Sequence, residues 1–170
     1  MDVFKEQIVK RKPTMLDSIK RAGLIFVVVA VAFTTFAVPG LNVFAPIIII
    51  AVGFGAFYLN AFLNVEYEYV FTSGDLDIDA IYDKRRRKRL FSARVNDIDI
   101  MAPIEDTVQS GSFNNASETN DYSSGVAGPD TYAFMINLKG KRVKIIFEPN
   151  DKMMDTIKGS MSRNKLQLRK

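Results

Sequence analysis

Two apolar stretches decide the architecture of this 170-residue chain: AGLIFVVVAVAFTTFAV at residues 22–38 and APIIIIAVGFGAFYLNAFL at residues 45–63. No Asp, Glu, Lys or Arg occurs from residue 22 through residue 65, although charged residues make up 25% of the sequence. As helices the two stretches would rise roughly 26 and 28 Å, close to the ~30 Å hydrocarbon core of a bilayer. The sequence therefore predicts two transmembrane helices, at about residues 22–38 and 45–63.

The connection between these helices and the placement of Lys and Arg predict the membrane topology. Pro39-Gly40 breaks the helix, and a six-residue connector permits only an antiparallel hairpin. Residues 1–21 form a basic N-terminal segment with six Lys and Arg, whereas the connector has none. Because positive charge marks the cytoplasmic side, we expect a multi-pass protein of the cell membrane with both termini in the cytoplasm. A cleaved signal peptide is the alternative for the first stretch, and the second apolar stretch disfavours it.

Polar and small residues predict where the first helix begins and how the two helices pack. Thr14 followed by Asp17 has the pattern of a capping box, which predicts that the first helix begins near Met15. The absence of ionisable groups at membrane depth argues against a proton relay or an ion-coupled transporter. Ala51 and Gly55 have the spacing that lets two helices approach closely. We favour packing within the hairpin for this pair, and a homo-oligomer is the alternative.

The remainder of the chain, residues 65–170, predicts a small antiparallel β domain with a C-terminal helix. The residue pattern changes to period two, with Tyr67, Tyr69 and Phe71 on one face of a strand. Further alternation predicts a meander of four strands, at residues 65–71, 76–80, 87–92 and 95–102. A hairpin follows at residues 132–147, and a helix at about residues 151–162 has an apolar stripe. The predicted class is thus an α+β membrane protein.

Residues 105–130 are rich in Ser, Asn, Gly and Asp and have only isolated apolar residues. This composition predicts a long mobile loop. Phe113 and Tyr122 are its isolated aromatic residues, and aromatic anchors can order such a segment when a partner binds. We therefore consider the loop a candidate partner-binding segment, with an unselected insertion as the alternative.

The β part resembles the opening strands of bacterial pleckstrin-homology-like (PH-like) domains. The residues that carry the resemblance are Tyr69, Thr72, Leu76, Ile78, the basic residues 84–89, Leu90, Phe91, Ser92, Val95, Ile98 and Ile100. With its helical hairpin, the whole chain is similar to a family of small two-helix membrane proteins of clostridia-type bacteria. The resemblance implies a fold and no activity.

The most prominent local feature is a run of six basic residues: Lys84, Arg85, Arg86, Arg87, Lys88 and Arg89. The run has three interpretations: a nucleic-acid patch, a contact with anionic lipids, or a solvated hairpin that reinforces the topology. Nucleic acid is disfavoured because residues 66–170 carry nearly balanced charge. Asp77 and Asp79 precede the run and Asp97 and Asp99 follow it, so we expect the basic strand to lie between two aspartate-bearing strands.

The composition excludes most catalytic chemistry. The chain has no Cys, His or Trp, which removes thiol chemistry, Cys/His metal sites and imidazole proton transfer. Asp75-x-Asp77-x-Asp79 begins like a calcium loop, but Ala80 and Arg86 occupy the positions that require Gly and Glu. No nucleophile motif is present. We expect no enzyme activity, no cofactor and no metal.

Two classes of function remain for such a protein. The first is a membrane-tethered binding or scaffold module, whose β domain docks a protein partner or, as a lipid-sensing variant, anionic headgroups. The second is an accessory subunit of a transport or secretion complex that acts through its helical hairpin. The expected partners are therefore membrane lipids and a protein, and nucleic acid is not expected.

Overall fold

The computed structural model describes residues 3–107, 111–162 and 165–166 of the chain. These residues belong to two compact units. The helical unit spans residues 13–65, and the β unit combines residues 1–12 with residues 66–170. Helices and antiparallel strands are largely segregated along the chain, so the predicted α+β class is confirmed.

The helical unit is a pair of long apolar helices, α1 (Met15–Ala37) and α2 (Ala45–Ala61), joined through a short 3-10 turn. α1 begins at the predicted capping box, in which the Asp17 carboxylate accepts a hydrogen bond from the Thr14 backbone N–H at 2.8 Å. Both helices are long and apolar enough to cross a membrane. In the most apolar 18-residue stretch of each helix, only 6% of the residues are buried. Such exposure is the opposite of what a helix in a soluble core shows.

The β unit contains two four-stranded sheets. The first sheet has the order β1-β2-β3-β4 and comprises β1 (Phe4–Lys10), β2 (Val65–Thr72), β3 (Asp75–Tyr82) and β4 (Arg86–Arg94). The second sheet has the order β5-β7-β8-β6 and comprises β5 (Ile98–Pro103), β6 (Glu118–Asp121), β7 (Tyr132–Leu138) and β8 (Lys141–Phe147). β6 runs parallel to β8, whereas the pairs β1–β2, β3–β4, β5–β7 and β7–β8 are antiparallel. Two helices complete the unit, α3 (Ile104–Thr107) and α4 (Asp151–Ser160).

Strand β1 was not predicted from the residue pattern. The residues from Phe4 to Lys10 lie in the segment that the sequence marked only as a basic leader, yet they pair with β2 over seven positions. The register ends with Lys10 opposite Glu66. The whole helical unit is therefore inserted in the connection between two adjacent strands of one sheet.

The predicted four-strand meander is wrong in its last strand. A 3-10 turn at Val95–Asp97 ends the first sheet, and β5 pairs with β7 in the second sheet. Asp97 lies in that turn and Asp99 in β5, so neither flanks the basic strand. β4 is instead the edge strand of its sheet, with β3 as its neighbour.

The segment at residues 105–130, expected to be one long loop, contains the strand β6 in its described part; residues 108–110 lie outside the described residues. β6 adds a strand to the second sheet beside β8. The backbone N–H of Ser117 donates to the carbonyl of Arg142 at 2.8 Å, and that of Tyr122 donates to Ile146 at 2.8 Å. A polar composition did not prevent order here because strand pairing satisfies the backbone groups.

The core of the β unit is built around a chain of aromatic rings. Tyr69 contacts Phe147 at 5.9 Å between ring centroids, Phe147 contacts Phe134 at 5.3 Å, and Phe134 contacts Phe91 at 5.5 Å. Tyr69 and Phe91 come from the first sheet, whereas Phe134 and Phe147 come from the second, so the rings pack the two sheets together. α4 and the residue that follows it add the predicted apolar stripe, which is confirmed by the burial of Met153, Met154, Ile157 and Met161.

Candidate functional site

The basic run forms the turn and the edge of the β3–β4 hairpin. Asp83 and Lys84 have φ angles of 49° and 58°, a left-handed conformation that reverses the chain tightly. The turn is closed by a hydrogen bond from the backbone N–H of Arg85 to the carbonyl of Tyr82 at 3.0 Å. All six basic side chains, Lys84, Arg85, Arg86, Arg87, Lys88 and Arg89, are exposed at this end of the sheet.

Two of these arginines are held by carboxylates on β3 and β2 of the same sheet. Arg89 forms a fork, with Nη1 2.9 Å from Oδ2 of Asp77 and Nε 2.5 Å from Oδ1 of Asp79. Arg87 reaches further and places Nη2 2.7 Å from Oε1 of Glu68 on β2. The predicted pairing of the run with Asp77 and Asp79 is thus present, whereas sequence reasoning missed Glu68.

Glu68 is the most deeply buried member of this cluster. Its side chain is 2% exposed, while that of Arg87 is 59% exposed and lies over it. Burial raises the pKa of Glu68, Arg87 opposes that shift, and the nearby carboxyl of Glu6 raises the pKa further. The second carboxylate oxygen, Oε2, is buried without a hydrogen-bond partner among the described residues. A buried carboxylate without full hydrogen bonding is costly, so it depends on Arg87.

The cluster presents fixed guanidinium groups rather than a metal site. Within the described ranges, no group of three or more acidic side chains is arranged to hold a metal ion. Oxygens of Asp77, Asp79 and Glu68 are instead occupied by arginine donors. Because Arg87 and Arg89 remain more than half exposed, the arrangement can offer their outer N–H groups to an acidic ligand.

A second polar cluster lies where the segment after β6 meets β2 and β8. The Tyr69 hydroxyl donates to the carbonyl of Tyr122 at 2.5 Å and accepts from the backbone N–H of Glu148 at 3.2 Å. The Glu148 carboxylate accepts from the backbone N–H of Ser124 at 3.0 Å. Burial raises the pKa of Tyr69, so its phenol stays a neutral donor. These contacts fasten the segment, which gives the cluster a structural role.

The aromatic residues expected to anchor a partner are part of the fold. Phe113 is 4% exposed and packs with Ala102, Ala133 and Met135. The Lys144 ammonium lies 5.4 Å from the centre of its ring. Tyr122 is half-buried, and its ring lies 5.7 Å from that of Tyr67. The view of Phe113 as an isolated loop aromatic is therefore wrong, because its ring fills a pocket under the second sheet.

The small residues Ala51 and Gly55 do not form the expected contact within the hairpin. Ala51 is exposed, and a Cβ atom added to Gly55 would meet no atom within 4 Å. The buried small residues of the two helices are instead Thr35 and Ala45. Both lie near the connector, where the chain itself brings the helices together.

Comparison with known proteins identifies one family. The family model described as bacterial PH-like domain (DUF6106) matches residues 1–167. The match includes β1, the helical unit and both sheets. No curated protein and no solved structure matches the chain.

Proposed function

The chain belongs to the bacterial PH-like domain family, and from that premise we propose that it is a non-catalytic, membrane-anchored binding module whose β unit docks an acidic segment of a protein partner. The proposal includes two membrane crossings with both termini in the cytoplasm. It also keeps the expectation of a clostridia-type bacterial origin, which rests on the resemblance of the sequence alone.

The observation that carries the proposal is the insertion of two apolar helices between paired strands. Lys10 at the end of β1 lies opposite Glu66 near the start of β2, and the helical unit connects these two ends. The β unit is thus attached through two chain connections that leave adjacent positions of one sheet. With the two helices in a membrane, both connections keep the β unit beside that membrane. Such an attachment suits a module that meets its partners at the membrane.

The basic end of the β3–β4 hairpin is the surface with chemistry suited to recognition. Carboxylates beneath Arg87 and Arg89 hold their guanidinium groups in place, so less side-chain entropy is lost when a ligand binds. Lys84 and Lys88 are exposed at the same end, and neither has an ion-pair partner among the described residues. Charge complementarity favours a partner segment rich in Asp and Glu.

An anionic lipid surface is the second candidate ligand for the same cationic end, because exposed Lys and Arg near a bilayer attract acidic headgroups. A protein is favoured for a reason of localisation. Two membrane spans retain a chain far more strongly than a polybasic patch does, so lipid binding would add little.

Co-purification from native membranes after cross-linking tests the proposal with the full chain. The test variant reverses three exposed charges at the basic end: Lys84→Glu, Arg86→Glu and Lys88→Glu. A matched control reverses three exposed charges elsewhere on the β unit: Lys139→Glu, Lys141→Glu and Lys152→Glu. A third variant replaces residues 13–65 with an unrelated two-span hairpin.

We expect the test variant to lose the partner that the wild type captures, and the other two variants to keep it. Loss of the partner only on hairpin replacement would overturn the proposal in favour of an accessory subunit that acts through its helices. If the test variant keeps the partner but no longer binds phosphatidylglycerol vesicles, the basic end is a lipid-binding surface and not the partner-binding one.

A further inference from the structure

An open groove lies between α1 and α2, in the half of the hairpin farthest from the connector. Its volume is about 450 Å³, within the usual range of small-molecule sites. Leu24 and Val28 line it from α1, and Gly53 and Phe57 line it from α2. A Cβ atom added to Gly53 would meet nothing within 4 Å, so the space beside this glycine is open.

One end of the groove is polar, because Arg21 and Asn60 line it there. Nη2 of Arg21 donates to Oδ1 of Asn64 at 2.8 Å. Nε of Arg21 is buried and has no hydrogen-bond partner among the described residues. The chain has no Asp or Glu from residue 18 through residue 65, so the helical unit offers no carboxylate to this cation beyond Asp17, which caps α1.

We propose that this groove binds one anionic phospholipid, with an acyl chain along the apolar wall and the headgroup phosphate hydrogen-bonded to Arg21. The inference rests on the proposed membrane insertion of the two helices. A groove that is apolar along its length and cationic at one end matches the polarity of an acidic lipid. The guanidinium fork fits phosphate oxygens, and a phosphate would supply the acceptor that Nε lacks.

Charge favours an acidic lipid over a second copy of the hairpin as the ligand of this groove. A second hairpin would bring another Arg21 and no free carboxylate, since residues 18–65 contain neither Asp nor Glu. Bringing two such surfaces together would bury two guanidinium groups with no carboxylate to neutralise them. An acidic lipid neutralises the cation and fills the groove at once.

Native mass spectrometry of the detergent-solubilised full chain tests the proposal, with phosphatidylglycerol and phosphatidylcholine of identical acyl chains as probes. Gly53→Leu fills the groove, and its matched control Gly55→Leu adds the same side chain at a glycine that does not line it. Arg21→Gln removes the cation and Arg21→Lys restores it. Lys20→Gln removes a neighbouring charge that does not line this groove.

We expect the wild type to retain one phosphatidylglycerol in preference to phosphatidylcholine. Arg21→Gln should lower that occupancy by about tenfold, as expected for loss of a charge-assisted contact. Gly53→Leu should lower it as well, because the leucine side chain takes up the space of the acyl chain. Gly55→Leu and Lys20→Gln should change it little, and Arg21→Lys should recover part of it. Equal occupancy in Gly53→Leu and Gly55→Leu, no preference between the two lipids, or loss of a dimer in Gly53→Leu would overturn the lipid assignment.

Alkaline extraction of membranes distinguishes a failure of the groove assignment from a failure of the proposed membrane insertion. All variants should stay in the membrane pellet, because none alters the apolar character of the helices. Release of the wild-type chain by alkali would refute membrane insertion itself. Retention in the pellet together with failure of the lipid test would refute only the groove assignment.

Discussion

Arg87 on β4 reaches across β3 to place Nη2 2.7 Å from Oε1 of Glu68 on β2. The two residues are 19 positions apart in the sequence and lie on strands that are not neighbours in the sheet. The ion pair therefore links the edge strand β4 to the inner strand β2. The ion pairs of Arg89 with Asp77 and Asp79 add a second link, between β4 and β3. The stability of this hairpin should depend on which member of the pair is removed.

Arg87→Gln should destabilise the β unit by about 1–3 kcal/mol, because it leaves the buried Glu68 carboxylate without its cation. Glu68→Gln should cost less, since the amide oxygen still accepts from Arg87 and the buried charge is gone. Lys88→Gln is the control and should change stability by less than about 0.5 kcal/mol. Urea unfolding followed by tyrosine fluorescence measures all three, because the chain has no Trp and five of its six Tyr lie outside α2. A larger cost for Glu68→Gln than for Arg87→Gln would contradict this account.

Glu68 should also make stability depend on pH. Burial raises its folded-state pKa above the usual 4.5, with Arg87 opposing and Glu6 reinforcing the shift. A raised folded-state pKa contributes stability that is present below the unfolded-state pKa and is lost as pH rises through the folded-state value. The free energy of unfolding of the wild type minus that of Glu68→Gln should therefore fall between pH 4 and pH 7. Subtracting the variant cancels the other carboxyl groups, and a difference that is flat or rises with pH would show that the pKa is not raised.

Tyr69→Phe should loosen the segment after β6. The change removes the hydroxyl that donates to the Tyr122 carbonyl and accepts from the Glu148 backbone N–H, at a cost of about 1–3 kcal/mol for two partly buried groups left unpaired. Limited proteolysis should then cut near residues 122–128 faster than in the wild type. Tyr132→Phe, which removes the hydroxyl of a half-buried tyrosine on β7, serves as the control. Equal cleavage rates in the two variants would mean that the hydroxyl of Tyr69 does not hold the segment.

The residue patterns predicted those elements whose determinants are close in sequence. Thr14 and Asp17 lie within one helical turn, and Asp79 pairs with Arg89 across a hairpin, so both contacts were predicted. β1 was missed because its partner β2 follows more than 50 residues later, after the helical insertion, and its Lys and Glu content resembles a leader. Phe113 was misjudged because its neighbours in sequence are polar, while the residues that bury it come from β5 and β7. Local composition carries no information on such distant packing.

Excision of the helical unit should leave a soluble, folded β unit. Because β1 pairs with β2 up to Lys10 opposite Glu66, their ends are close enough to be joined by a short loop. A chain in which Gly-Asn-Gly links Lys12 directly to Glu66 keeps the β unit and removes residues 13–65. We expect it to stay in solution without detergent and to unfold cooperatively. A second chain that also lacks residues 1–12 should be markedly less stable, since it loses β1; equal stability of the two chains would contradict the pairing of β1 with β2.

Cysteine labelling in intact cells should place the connector outside and the C-terminal part of the chain inside. The chain has no native Cys, so single substitutions report one position each. Asn42→Cys lies in the connector between α1 and α2, and Ser162→Cys lies just after α4. An impermeant thiol reagent should label Asn42→Cys and leave Ser162→Cys unmodified, because Lys and Arg are concentrated outside the connector and positive charge resists export. Permeabilised cells provide the control, in which both positions should react. Labelling of Ser162→Cys alone in intact cells would invert the topology, and it would place the basic end of the β3–β4 hairpin where no cytoplasmic partner could reach it.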